Sequence, residues 1–380
     1  MLYLLFDWLL EGAPYAYKSP LFRATIAVLL AFAIVWALAP GVIRLLVRLK
    51  IGDRAEFHHE QVNRLTQGKK NTPTMGGALI VLAILVSGLL LADINNFYVR
   101  MGLFCVVWLT CLGGVDDYLK LTSDRAGRTR DGLRMWEKLV FQIALGALLA
   151  IFTLRAGESN WIPSLLDPQA PAGRNYNVLS VPFYKQGIVL ATPVFVCIAV
   201  LVITFTSNAV NLTDGMDGLA SGCMVLTSVA FMVLAVVVGT PELARRLLFF
   251  HIHGAAELAV LCGAVVGACL GFLWYNAYPA QVFMGDTGSL PLGGLIGYVA
   301  IVTRLELMLL IVGGVFVIEA LSVLTQIVYF RSTGGKRFFR CAPLHHHFHL
   351  GGWTETQTVM RFWLLAALFA TFALATIKLR

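Results

Sequence analysis

The chain has 380 residues, of which 58% are hydrophobic and 13% are charged, and its formal net charge is +8. Soluble domains carry about 25% charged residues, so this composition excludes an ordinary cytosolic globule, a disordered chain and a coiled coil. The positive charge does not indicate a nucleic-acid partner, because the cytoplasmic loops of membrane proteins collect Lys and Arg.

Ten apolar runs follow one another along the chain, with lengths and spacings typical of membrane-spanning helices. They lie at 21–39, 75–92, 101–115, 136–154, 188–206, 219–238, 257–275, 289–303, 307–329 and 359–379. We therefore predict an all-α polytopic membrane protein, with about ten transmembrane helices and a single integral domain over residues 1–380.

Basic residues predict how this domain is oriented in the lipid bilayer. The loops after the odd-numbered runs contain 16 Lys and Arg, whereas the N-terminus and the loops after the even-numbered runs contain 8. Because basic loops stay in the cytoplasm, we expect both termini in the periplasm. The acidic and histidine-rich motifs described next all fall in odd-numbered loops, which predicts an active-site cleft on the cytoplasmic face.

The first two motifs in chain order bring basic and acidic side chains to this face. Lys69 precedes Thr72–Gly77 in the first cytoplasmic loop, where it either holds a phosphate or nucleotide or only contributes orientation charge. Asp116 and Asp117 directly follow the third apolar run. Two adjacent carboxylates repel each other and need a metal ion, Lys120 or both as compensation. The alternative is a solvated helix end with an ordinary salt bridge.

Two polar stretches that contain glycine interrupt later apolar runs. Asn208–Ala220 has no Lys or Arg but offers several Asn and Asp oxygens, more than a tight turn requires. Asn276–Ser289 places Asp286 between glycines, and Gly-rich amides at a helix N-terminus suit phosphate. Its Phe283 either stacks on a base or anchors the loop in the membrane interface.

The last cytoplasmic loop carries the histidine run His345–His347 among basic residues. Histidines bind metals, donate to phosphate or move protons near pH 7. Adjacent histidines lack the i,i+4 spacing of a helical zinc pair, which favours phosphate binding. Glu319, near the middle of the ninth run, is a functional candidate because intramembrane acids are costly. A packed polar contact is the alternative, and the sequence gives Glu319 no partner.

Together the motifs place carboxylates, cations, histidines and Gly-rich loops on one face of the bilayer. This combination suits a Mg²⁺-dependent phosphoryl-type reaction on a lipid-bound substrate, because Mg²⁺ binds carboxylates and substrate phosphates together. A membrane transporter is the rival from a different class, since spans with Gly-rich breaks and an intramembrane acid also describe one. A transporter would more naturally place polar groups at the midplane and on both faces.

The motifs resemble those of the polyprenyl-phosphate N-acetylhexosamine-1-phosphate transferase superfamily, and within it the phospho-N-acetylmuramoyl-pentapeptide transferases. The matching stretches run in family order and are Thr72–Gly77 (TPTMGG), Asp116–Lys120 (DDYLK), Asn208–Ala220 (NAVNLTDGMDGLA), Phe283–Ser289 (FMGDTGS) and Pro343–Gly352 (PLHHHFHLGG). The unbroken histidine run points to the muramoyl-pentapeptide branch.

The resemblance implies a reaction. Undecaprenyl phosphate attacks UDP-N-acetylmuramoyl-pentapeptide, UMP leaves and lipid I forms, as the first membrane step of peptidoglycan synthesis, with Mg²⁺ as cofactor. It implies a multi-pass protein of the bacterial cytoplasmic membrane and suggests a homodimer. The close alternative is the same chemistry with UDP-N-acetylglucosamine or another UDP-N-acetylhexosamine. Direct attack competes with a phospho-enzyme formed on an Asp; we favour the single displacement.

The resemblance also implies roles for individual residues. Asp286 is implied as the Mg²⁺ ligand, with Asp116 and Asp117 as further candidates, and Asp116 as the group that deprotonates or positions the lipid phosphate. The implied catalytic residues are Asp116, Asp117, Asp286 and His345. The implied substrate-binding residues are Lys69, Thr74, Lys120, Asn211, Asp214, Asp217, Asn276, Phe283, Gly285, Ser289, Gln326, His346 and His347.

Overall fold

The computed structural model describes residues 16–49, 72–126, 132–159, 177–184 and 186–379. Most of these residues are helical, and the strands among them are limited to one short antiparallel pair. The chain is therefore an all-α polytopic membrane protein, as the composition predicts.

Thirteen α-helices and one two-stranded hairpin are described. They are α1 (Pro20–Arg48), α2 (Gly77–Leu91), α3 (Phe97–Ala126), α4 (Met135–Ser159), β1 (Val178–Leu179), β2 (Ile188–Val189), α5 (Thr192–Thr213), α6 (Leu219–Gly239), α7 (Pro241–Arg246), α8 (Leu258–Asn276), α9 (Asp286–Thr303), α10 (Glu306–Val312), α11 (Gly314–Ser332), α12 (Leu344–His349) and α13 (Glu355–Ala375).

Every predicted apolar run overlaps a helix or a pair of helices. Within the described ranges, eight helices are long and apolar enough to cross a membrane, whereas α2 is shorter, with 15 residues. The glycine-rich run at 289–303 forms α9, all of whose residues are buried within the protein. The count of ten spans and the orientation of the termini stay predictions.

Three boundaries differ from the sequence prediction. Helix α3 continues past the apolar run to Ala126, so the paired acids lie inside a helix and not at its end. The fifth run begins with strand β2, and its helix starts only at Thr192. The ninth run is broken at Gly313, between α10 and α11. A Cβ on the neighbouring Gly314 would lie 2.7 Å from the Phe369 ring, so α13 packs directly against this break.

Helices α8 and α9 form the centre of the protein. Helix α8 packs against α1, α2 and α6, and α9 packs against α3 and α5. Three glycines on α8, Gly263, Gly267 and Gly271, face the backbone of α1, with no room for a Cβ at any of them. Small residues every four positions let two membrane helices approach closely, and this packing holds α8 in place.

Glycines also allow other helices to reach the N-terminal end of α9. A Cβ on Gly113 of α3 would collide with the Asp286 backbone and lie 2.8 Å from the Thr287 nitrogen. A Cβ on Gly77 of α2 would lie 2.8 Å from the Met284 carbonyl oxygen. Helices α2 and α3 therefore converge on the first turn of α9, which places the acids of α3 beside Asp286.

Candidate functional site

Three carboxylates meet at the start of α9. Asp116 and Asp117 come from α3, Asp286 is the first residue of α9, and all three are buried. One oxygen from each lies within 4.8 Å of the others. Residues that are 170 positions apart in sequence thus form one acidic cluster, which we call the carboxylate cluster.

Two lysines neutralise most of this charge. Lys120 Nζ lies 2.8 Å from Asp116 Oδ2 and 3.4 Å from Asp286 Oδ1. Lys138 Nζ, from α4, lies 2.8 Å from Asp116 Oδ2 and 2.6 Å from Asp286 Oδ2. The sequence motifs do not include Lys138. Its signal is weak, because a lone Lys near the start of an apolar helix resembles an ordinary orientation charge.

Asp117 caps the first turn of α9. Its Oδ1 accepts a hydrogen bond from the Asp286 backbone nitrogen at 3.2 Å. Its Oδ2 accepts from the Thr287 backbone nitrogen at 2.9 Å and from the Thr287 hydroxyl at 2.6 Å. Helix N-termini leave such amides without partners inside the helix, so Asp117 fastens α3 to α9 as well as contributing negative charge.

Asn211 and Ser289 hold the other face of Asp286. Asn211 Nδ2 donates to Asp286 Oδ1 at 2.7 Å and to Ser289 Oγ at 2.9 Å. Ser289 Oγ in turn donates to the Gly285 carbonyl oxygen at 3.0 Å. The amide therefore fixes the rotation of the Asp286 carboxylate from α5.

The segments around Thr74 and Gly285 lie side by side. Phe283 donates its backbone nitrogen to the Pro73 carbonyl oxygen and accepts from the Gly76 nitrogen, both at 2.8 Å. Gly285 has a φ of +72°, and a Cβ there would lie 2.7 Å from Asp117 Oδ2 and 3.0 Å from Thr74 Oγ1. The buried Thr74 hydroxyl thus lies at the edge of the carboxylate cluster, and only glycine fits between them.

Asp214 lies next to the cluster, in the turn between α5 and α6. Burial, together with the nearby charges of Asp286 and Asp117, raises the pKa of Asp214 well above its usual range. A hydrogen bond from the Gly285 backbone nitrogen opposes the rise. The surroundings therefore favour a protonated Asp214 carboxyl, in contrast to Asp286, which is paired with two lysines.

Asp217 and Asn276 hold neighbouring loops together. Asp217 Oδ2 accepts from the Ala280 backbone nitrogen at 3.0 Å. Asn276 Oδ1 accepts from the Gly218 backbone nitrogen at 3.0 Å, and its Nδ2 donates to the Val282 carbonyl oxygen at 2.9 Å. These two side chains connect the turn after α5 to the segment before α9, where Phe283 lies half-buried.

Glu319 finds its partner in the histidine run. The His345 backbone nitrogen donates to Glu319 Oε1 at 3.2 Å, and His345 Nδ1 lies 3.2 Å from Glu319 Oε2. Both side chains are fully buried. Glu319 of α11 thereby supplies an acceptor at the N-terminus of α12, which answers the question that the sequence leaves open.

The rings of His345 and His346 lie against the turn that carries Asp214. A Cβ on Gly215 would lie 2.5 Å from His345 Nε2 and 3.5 Å from His346 Nε2. His345 Nε2 is buried and makes no hydrogen bond. The two rings therefore reach the loop beside the carboxylate cluster.

The remaining predicted residues lie farther out or are not described. His347 Nδ1 accepts from the Arg340 backbone nitrogen at 3.1 Å, and Gln326 Oε1 accepts from the Phe339 nitrogen at 2.9 Å. Both contacts order the loop that follows α11. Lys69 falls outside the described residues.

The carboxylate cluster fits a divalent cation. One oxygen from each of the three buried carboxylates lies within 4.8 Å of the others, and Asp116 Oδ2 already attracts two ammonium groups at 2.8 Å. Mg²⁺ prefers carboxylate oxygens and keeps positions for water and substrate phosphates. Three converging carboxylates beside a Gly-rich loop supply donors of this kind.

A family profile and individual relatives of known name indicate related families for this chain. The sequence profile described as glycosyl transferase family 4 matches residues 99–304, which include the carboxylate cluster. The chain is 43% identical to a phospho-N-acetylmuramoyl-pentapeptide-transferase of Desulfosudis oleivorans, with 94% of each protein covered. It is 41% identical to one of Thermodesulfovibrio yellowstonii (96% and 95% covered) and 43% identical to one of Desulfotalea psychrophila (94% and 93% covered). With this identity over nearly the whole length, the chain belongs to glycosyl transferase family 4 and, within it, to the phospho-N-acetylmuramoyl-pentapeptide-transferases.

Proposed function

We propose that the protein transfers phospho-N-acetylmuramoyl-pentapeptide from its UDP conjugate to undecaprenyl phosphate, which yields lipid I and UMP. The observation that carries the proposal is the carboxylate cluster with its lysines, assembled from segments far apart in a chain of this family. The proposed setting is the bacterial cytoplasmic membrane, with the cluster on the cytoplasmic side, and a homodimer is part of the proposal.

Positioning is the main catalytic contribution that we assign to the protein. A phosphate monoester has a second pKa of about 6, so the lipid phosphate is mostly a dianion at pH 7 and needs no strong base. Asp116 would orient this phosphate, and Lys120 would hold an oxygen of the diphosphate. Fixing two substrates in line provides much of the rate gain in such a transfer. We retain the single displacement as the proposed mechanism.

Mg²⁺ is the proposed cofactor, with Asp286 as its principal ligand and Asp116 and Asp117 as neighbours. When bound, the ion would neutralise charge that builds up on the phosphate oxygens. The choice of Asp286 as the principal Mg²⁺ ligand is supported by Lys120, Lys138 and Asn211, which orient its carboxylate.

The nucleotide and sugar are assigned to the loops around the cluster. Phe283 would stack on uracil. The wider pocket would be lined by Lys69, Thr74, Asn211, Asp214, Gly285, Ser289, Gln326 and His345–His347. Asp217 and Asn276 would act mainly by holding these loops, because their side chains are hydrogen-bonded to backbone groups.

The test is a substrate assay with the purified membrane protein. UMP release from UDP-N-acetylmuramoyl-pentapeptide should require both undecaprenyl phosphate and Mg²⁺. UDP-N-acetylglucosamine, tested in parallel, should give little product. Asp286→Ala should fold and lose nearly all activity. Faster turnover of UDP-N-acetylglucosamine would reassign the sugar, and solute flux into proteoliposomes without a covalent product would favour a transporter.

A further inference from the structure

Lys138 is the cation of the candidate site that lies outside all the sequence motifs. Its single ammonium group bridges Asp116 Oδ2 at 2.8 Å and Asp286 Oδ2 at 2.6 Å. The side chain is only 18% exposed, so water screens these contacts in part. Lys138 thus joins α4 to the acids of α3 and α9, through an ion pair with Asp116 and a hydrogen-bonded ion pair with Asp286.

The other oxygens of the two carboxylates accept hydrogen bonds, Asp116 Oδ1 from the Leu133 nitrogen and Asp286 Oδ1 from Asn211 Nδ2. The two oxygens that Lys138 contacts are therefore the ones best placed for a divalent cation. Mg²⁺ binds its oxygen ligands at about 2.0–2.1 Å, so an ammonium nitrogen that stayed in contact with the same two oxygens would lie within about 4 Å of the ion. Two cations within about 4 Å repel each other strongly in a partly buried site. The ammonium group and the metal ion therefore compete for Asp116 and Asp286.

We propose that Lys138 is an exchangeable counter-ion of the metal site, released from both carboxylates when a divalent cation binds and then available to a substrate phosphate. The inference rests on the metal site of the proposed function. A lysine suits this task because its compact charge sits on a flexible four-carbon chain. Lys120 contacts the cluster less evenly, at 2.8 Å from Asp116 and 3.4 Å from Asp286.

A purely structural role gives the opposite expectation. If Lys138 served only to hold Asp116 and Asp286 together, its loss would let two like charges separate and would weaken cation binding. If it competes with the cation, its loss strengthens cation binding. The sign of the change in metal affinity therefore separates the two roles, independently of any activity measurement.

The experiment titrates Mn²⁺ into the detergent-solubilised full-length protein and follows the signal of free Mn²⁺ by electron paramagnetic resonance. Lys138→Met keeps the length and volume of the side chain but removes its charge, and we expect at least about tenfold tighter Mn²⁺ binding. Lys138→Gln, a polar replacement, should change affinity in the same direction, and Lys138→Arg should not tighten it. At saturating Mn²⁺, UMP should bind about tenfold more weakly to Lys138→Met than to the wild type.

Arg134→Met is the matched control. It removes one positive charge four residues earlier, from an exposed side chain, and should leave Mn²⁺ affinity within about twofold of the wild type. Equal or weaker Mn²⁺ binding by both Lys138→Met and Lys138→Gln overturns the exchange while the metal site stands. Unchanged UMP affinity in Lys138→Met overturns the transfer to phosphate. No saturable Mn²⁺ binding by the wild type overturns the metal site and the exchange together.

Discussion

Replacing Gly285 by alanine tests the geometry of the carboxylate cluster most directly. Gly285 has φ +72° and ψ 177°, a region that is almost confined to glycine and costs other residues about 1–3 kcal/mol. The new Cβ would also lie 2.7 Å from Asp117 Oδ2, so the carboxylate must move. Asp117 would then lose at least one charge-assisted hydrogen bond to the start of α9, worth about 1.5–3 kcal/mol.

The two costs together predict a loss of about 2.5–6 kcal/mol in the free energy of unfolding. A displacement of about 1 Å at the reacting groups lowers the rate about 100-fold, so UMP release should fall at least that far. Both effects are measured on protein in detergent, by thermal unfolding and by the substrate assay.

Gly114→Ala is the control for this substitution. The nearest atom to a Cβ on Gly114 is Thr287 Oγ1, at an ordinary contact distance of 3.9 Å. Gly114 lies inside α3, where alanine is favoured over glycine by about 0.5–1 kcal/mol, so stability and activity should be preserved. A Gly285→Ala protein that matched the Gly114→Ala protein in both measurements would refute the proposed geometry.

Three further changes give expectations of different sign. Glu319→Ala removes the acceptor at the start of α12 and should cost about 0.5–2 kcal/mol of stability and most of the activity. Glu319→Gln, which keeps an acceptor, should lose less thermal stability and less UMP-release activity than Glu319→Ala. Equal losses in the two variants would contradict the capping role. Asp214→Asn should raise the thermal midpoint at pH 8 in buffer without divalent cations. The gain should vanish near pH 4, because a carboxyl whose pKa is raised by folding destabilises the fold only at pH values above its pKa in the unfolded chain. A gain independent of pH would exclude the raised pKa of Asp214 as the cause. Gly267→Leu should abolish folding by blocking α1, as judged by the yield of monodisperse protein, whereas Gly41→Leu, with open space around it, should be tolerated.

Hydropathy predicts where the helices are but not how they end. The run at 101–115 stops at Val115, yet α3 continues to Ala126, and Asp116, Asp117 and Lys120 on this extension belong to the charged site. A search for apolar residues ends the helix where it passes from lipid into a polar cleft, although the backbone stays helical. The break at Gly313 cannot be predicted from the sequence either, because glycine is common within unbroken membrane helices.

The sequence predicts which residues form the candidate site but not what each of them does there. Asp116, Asp117 and Asp286 converge as the motifs suggest, but sequence cannot distinguish an oxygen that binds a ligand from one that accepts a backbone hydrogen bond. Asp217 and Asn276 are engaged with loop backbones. Lys138 and Glu319 lie outside the matching motifs, so only tertiary packing reveals their contacts with the carboxylate cluster and with His345.

The first turn of α9 shows how the role of one carboxylate affects substrate recognition. The sequence suggests that amides at this helix start bind phosphate. In the structure the nitrogens of Asp286 and Thr287 donate to Asp117 instead. A carboxylate of the protein therefore takes the position that an anion would otherwise fill, and the positive end of the helix stabilises Asp117. We therefore expect lysine side chains rather than these two amides to contact a substrate diphosphate, and Lys120 and Lys138 are the described cations that already contact the carboxylate cluster.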